Sequence, residues 1–216
     1  MDAVPSYLPG MLLAYCAFVL ATVSPGPAVL ATLGTAMGAG RRAGVALGLG
    51  VAMGSCSLGV LTALGLSVVL ASYAGALVAI KIAGGLYLLW LAVKSLRSAA
   101  RRQALPAMAG GARRGALGYF ARGWAVQISN PKAILAWIAI ISLGLKPGAP
   151  HWVAPAIVVA CTLTGMAFYS LCAVVFSTPA MARGYARARR VIDGVLGVFF
   201  AACLLYTSDA ADDSLR

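Results

Sequence analysis

The chain has 216 residues, of which 62% are hydrophobic and 10% charged, with a mean hydropathy of +0.92. An ordinary soluble domain carries about a quarter charged residues, so this composition excludes one and points to a membrane-embedded chain. The net charge of +12 would suit a nucleic-acid binder, but the basic residues fall in alternate loops between apolar runs, the positive-inside pattern of a membrane protein.

No residue from 3 to 40 is charged, and none from 43 to 80. Each run has 38 residues. As one helix that is about 57 Å, against a hydrocarbon core of about 30 Å, so each run must be broken, tilted or folded back. No basic segment precedes the first run, which is therefore expected to stay as a span rather than be cleaved. Span one is expected over about 7–24, interrupted by Ser24-Pro25-Gly26-Pro27, with a half-helix over 28–37. Each proline lacks an N–H and clashes with the carbonyl one turn back. Gly26 is expected to let the chain swing between them. Carbonyls freed near Val23 need partners that lipid does not offer. The half-helix beyond aims its N-terminal amides at the break, a place for an anionic group. A structural kink satisfied by neighbouring helices is the alternative.

Arg41 and Arg42 separate this element from span two, expected over 44–69. Gly40, Gly44 and Gly48, and likewise Gly50 and Gly54, recur every four residues, a spacing that lets helix backbones approach. Span three is expected over 75–93, with Lys81 snorkelling to the outer surface. A basic stretch over 94–114 follows.

Span four is expected from about 115 to 145, broken at Ser129-Asn130-Pro131-Lys132. Pro131 suits the first turn of a second half-helix, and Asn130 is a good cap for it. A lysine at mid-membrane costs roughly 2.5–3.5 kcal/mol. Lys132 therefore calls for a water-filled cavity, a carboxylate ligand, or a shallow span from which it reaches the headgroups. Span five is expected over 153–176, a second basic stretch over 183–190, and span six from 191. Asp193 follows Arg189 and Arg190, so an interfacial ion pair and a proton-relay role are both open.

Residues 203–216 hold three of the five acids. The string CLLYTSDAAD resembles the translation of a common sequencing adapter. The natural sequence is expected to end near 202, leaving 1–202 as a single transmembrane transporter domain and 203–216 as a non-native tail; a natural polar tail is the alternative. Cys16, Cys56, Cys161, Cys172 and Cys203 show no C-x-x-C spacing and are expected as buried free thiols. Trp90, Trp124, Trp137 and Trp152 are expected as interface anchors and packing. His151 is given no role.

The expected fold is an all-α integral membrane protein with six transmembrane helices. Basic loops face the cytoplasm and the N-terminus lies outside. Three spans plus three make the second half enter in the opposite sense, so the two proline-broken spans correspond in a 3+3 inverted repeat.

Pro25-Gly26-Pro27, the Gly40-Arg41-Arg42-Ala43-Gly44 turn, the glycine-rich second span, Ile82-Ala83-Gly84-Gly85-Leu86-Tyr87 and Asn130-Pro131-Lys132 occur in order. Together they resemble the lysine-exporter (LysE/RhtB) translocator family over about residues 7–202. The resemblance implies efflux of amino acids or related small metabolites across the bacterial inner membrane, driven by the proton gradient. Two positions depart from it: Ala28 stands where many members carry Asn, and Ser55 where many carry Asp. The loss of that carboxylate leaves Asp193 as the proton-coupling candidate. The candidate substrate site is Pro25, Gly26, Pro27, Ser55, Asn130, Pro131 and Lys132. No His/Asp/Cys constellation supports catalysis, and no cofactor is expected. The partners expected are a small-molecule substrate and the lipid bilayer, not nucleic acid, with a homo-oligomer left open. Efflux of a metal cation through the soft donors Met53, Cys56 and Met166, or a non-transporting scaffold, are the competing readings.

Overall fold

The computed structural model describes residues 4–72, 114–145 and 149–178, together with single positions 86, 90, 93, 97, 191, 194, 195 and 198. Among the described residues all regular structure is helical. Helix α1 covers Val4–Val23, α2 Pro27–Ala39, α3 Arg41–Ser72, α4 Ala116–Ile128, α5 Pro131–Gly144 and α6 Val153–Val175. Except at single positions, the expected spans three and six lie outside the described residues, as do Lys81, Asp193 and the tail 203–216.

Two helices, α3 over Arg41–Gly65 and α6, are long and apolar enough to cross a membrane. Two further pairs pass the same test when taken together. Tyr7–Val23 with Pro27–Ala39 bends by 48°, and Ala116–Ile128 with Pro131–Gly144 bends by 65°. Both second members open with proline at the first turn, where its missing N–H costs nothing and its fixed φ suits the helix.

Part of the described surface is apolar. Val159, Leu163, Ala167 and Leu171 run along the exposed face of α6 at four-residue intervals, a stripe suited to lipid. Leu8, Leu12 and Cys16 form a shorter one on α1. Cys16 is therefore exposed rather than buried, unlike Cys161 and Cys172. Its neighbours on that face point outward, and a thiol tolerates hydrocarbon as a small hydrophobe does.

Inside, bare backbone brings the helices together. A Cβ on Gly50 would run into the Phe120 carbonyl, and one on Gly123 into the Leu47 carbonyl, so α3 and α4 touch main chain to main chain. Gly54 continues this seam against Trp124 and Gln127. The opposite side of α3 uses Gly44 and Gly48, which meet Ala36 of α2 and Tyr169 and Ala173 of α6. Such approach maximises dispersion contact where lipid competes equally for apolar surface. Gly40 does not belong to this pattern. It has nothing within 4 Å and a φ of +92°, so it ends α2 in a conformation that side-chain-bearing residues rarely adopt.

One apolar cluster packs α1, α5 and α6 around Trp137, which is 1% exposed and lies against Phe18 at 5.6 Å between ring centroids. Trp137 is thus a core residue and not an interface anchor. Tyr15 of α1 and Thr164 of α6 add a hydrogen bond at 3.0 Å.

Candidate functional site

The two helix breaks meet. Chain 24–26 between α1 and α2, and chain 129–130 between α4 and α5, border one cavity of about 40 Å³, room for on the order of three waters. Its polar wall includes Ser24, Ser55, Gln127, Asn130, Lys132 and Tyr169, and its apolar wall Phe18, Val29, Trp137 and Ile140.

Helix α1 ends because Pro25 and Pro27 supply no N–H. The Ser24 carbonyl lies in the break, outside both helices, and accepts a hydrogen bond from Lys132 Nζ at 2.8 Å. This one contact joins residues 108 positions apart and ties the first break to the second. Lys132 is thus directed toward the first break and lines the cavity. Gly26 has extended backbone, φ −158° and ψ −177°, which any residue adopts, so it is not the swivel expected from its lack of a side chain. Its role is space: a Cβ there would lie 3.4 Å from Lys132 Nζ and 3.5 Å from Lys132 Cδ.

Helix α2 has no side-chain cap at Gly26. Its first-turn amides therefore lack intrahelical acceptors and carry the positive end of the helix dipole toward the break. At the second break Asn130 accepts from the Lys132 backbone N–H through Oδ1 at 3.1 Å, the capping role expected of it. Its own carbonyl starts α5 by accepting from Ala133 N at 2.9 Å. The cavity is thus rich in positive potential: one ammonium and two helix N-termini.

Ser55 sits on the opposite wall and accepts from Trp137 Nε1 at 2.9 Å. With a lone pair used by the indole, its own proton remains to donate. Gln127, buried and one turn before Asn130, also faces this space. Among the described residues, no group of three or more His, Cys, Asp or Glu comes together as a metal would require.

Of the seven substrate-site residues expected from sequence, Gly26, Ser55, Asn130 and Lys132 line the cavity. Pro25, Pro27 and Pro131 do not; they set the breaks from behind the wall. Asp193 lies outside the described residues. The sequence reading missed Gln127 and Tyr169. Gln127 carried a signal, being an amide inside an apolar run where polar side chains are costly. Tyr169 carried none, because an aromatic in a span reads equally as packing.

The LysE type translocator family matches residues 19–208. The membrane protein YahN of Escherichia coli K12, described as uncharacterized, is 33% identical over 88% of this chain and 86% of its own length. The threonine efflux protein of the same organism is 32% identical over 85% of the chain and 89% of its own. The leucine efflux protein of Enterobacter sp. 638 is 28% identical over 82% and 84%. No solved structure matches.

Proposed function

We propose amino-acid efflux as the function of this chain, which belongs to the LysE type translocator family and is a multi-pass membrane protein. The membrane is the bacterial inner membrane, crossed by six spans in a 3+3 inverted repeat with the N-terminus outside. The basic loops in alternate positions support this orientation, and the two bent helix pairs support correspondence of the halves. Residues 1–202 form the transporting unit. The relatives named for threonine and leucine efflux make those two amino acids the first solutes to assay.

The observation that carries the reading is the bridge from Lys132 Nζ to the Ser24 carbonyl, set between two half-helix N-termini. A substrate carboxylate replaces that carbonyl as the partner of Lys132. It gains a charge-assisted bond, the amides at the start of α2 and the Ser55 hydroxyl. The proton gradient drives export, and Asp193 is the candidate for coupling.

Lys132→Ala and Pro131→Ala should each lower threonine or leucine efflux by about tenfold or more, the worth of a hydrogen bond to a charged group, while membrane insertion stays intact. Efflux from loaded cells, normalised to membrane protein, measures this. Wild-type rates in both variants would remove Lys132 from the site and show that the break set by Pro131 is not needed for transport.

A further inference from the structure

Gln127 has a buried acceptor that nothing in the protein uses. It is 6% exposed, it lines the cavity, and its Oε1 is, among the described residues, the one buried side-chain polar atom without a hydrogen-bond partner. Folded interiors leave few such atoms, because an unmade bond forfeits the group's hydration with no return.

The rest of the wall explains what this oxygen is for. Lys132 brings a cation, Ser55 has a proton to give, and the α2 terminus offers amide N–H groups. The nearby acceptors are already engaged: the Ser24 carbonyl by Lys132 Nζ and Asn130 Oδ1 by the Lys132 amide. No carboxylate stands among the described residues lining the cavity. An anionic group therefore finds several donors there. A cationic group finds the hydroxyls of Thr22 and Tyr169, which also donate, and one uncommitted oxygen that can only accept, that of Gln127. The side chain is backed by the α3 seam, where a Cβ on Gly54 would lie 2.9 Å from Gln127 Cβ. That contact fixes the stem, while a half-turn of the terminal amide exchanges its oxygen and nitrogen within the same shape.

We infer that Gln127 is the ammonium-recognising residue of this site, so that the cavity takes solutes with one carboxylate and one ammonium and turns away those with a second cationic group. This rests on the efflux reading above. The carboxylate lies toward Lys132 and the α-ammonium toward Gln127. A neutral amide accepts from an ammonium without cancelling its charge. A further ammonium, as on lysine, then meets Lys132 with no acid among the described lining residues to offset the repulsion.

The test uses the full chain purified and reconstituted in proteoliposomes, with labelled leucine as the transported solute. Unlabelled leucine, its desamino analogue 4-methylpentanoate, and lysine are the competitors. Wild-type protein should favour leucine over 4-methylpentanoate by about tenfold or more and ignore lysine. Gln127→Met keeps the length, removes both polar ends, and should bring the leucine to 4-methylpentanoate ratio close to one with thermal stability unchanged or raised; a merely structural Gln127 would lose stability and keep the ratio. Should Gln127→Met fail to insert, Gln127→Glu is read instead, and it should admit lysine as a competitor. A wild-type ratio in Gln127→Met, or continued exclusion of lysine by Gln127→Glu, overturns the inference and leaves efflux standing. Absence of leucine and threonine transport by the wild type overturns both.

Discussion

Gly26 shows how a missing side chain can matter for its neighbour more than for its own backbone. An alanine there makes ordinary contact with Lys132 at 3.4–3.5 Å, so Gly26→Ala should keep most of the efflux. Gly26→Val puts branches where the lysine lies, should push Nζ off the Ser24 carbonyl, and should reduce efflux about as far as Lys132→Ala; transport assays on the three variants together decide it. Trp137 makes a second local prediction. Trp137→Phe removes the indole donor to Ser55 and should lower stability by about 1 kcal/mol, seen as a reduced unfolding temperature in detergent. These residues differ in how far the sequence betrayed them. Lys132 and Asn130 stood out because a charge and a cap inside an apolar run have few explanations. Trp137 did not, since a tryptophan in a span serves an interface or a core equally well, and its depth depends on partners that the sequence does not order in space. Gln127 was legible in principle, as an amide without a capping or loop context.

The described helices were legible to within a few residues. The expected 7–24 with 28–37 became Val4–Val23 with Pro27–Ala39, and the expected break at Pro131 falls between Ile128 and Pro131. Proline chemistry is local, so it can be read locally. Glycine spacing announced close approach but not the partner, since a four-residue repeat says which face is smooth and not what lies against it. The structure divides the repeat between two neighbours of α3, with Gly44 and Gly48 toward α2 and α6, and Gly50 and Gly54 toward α4. Gly50→Ala or Gly123→Ala would drive a methyl group into a backbone carbonyl. Either should separate α3 from α4 and yield protein that aggregates after extraction. Gly34→Ala meets nothing within 4 Å and should be tolerated, even mildly favourable by helix propensity. Monodispersity on size exclusion across the three variants separates a packing effect from a general intolerance of substitution.

At the scale of the whole chain, composition and the alternation of basic loops carried the membrane reading, and the order of motifs carried the family. Orientation is a property of the loops and is tested there. In a chain whose own cysteines are replaced, His151→Cys should react with a membrane-impermeant thiol reagent added outside intact cells, and Arg42→Cys only after the membrane is opened. The reverse pattern would invert the proposed topology. The two elbows are also unequal, at 48° and 65°. Under the inverted-repeat layout each elbow is the counterpart of the other, seen from the opposite side of the bilayer. Trading the two values between the halves then gives the arrangement that a half-turn about an axis in the membrane plane would produce, open to the other compartment. The difference, 65° less 48°, is 17°; under that layout each proline joint would change by an angle of that size.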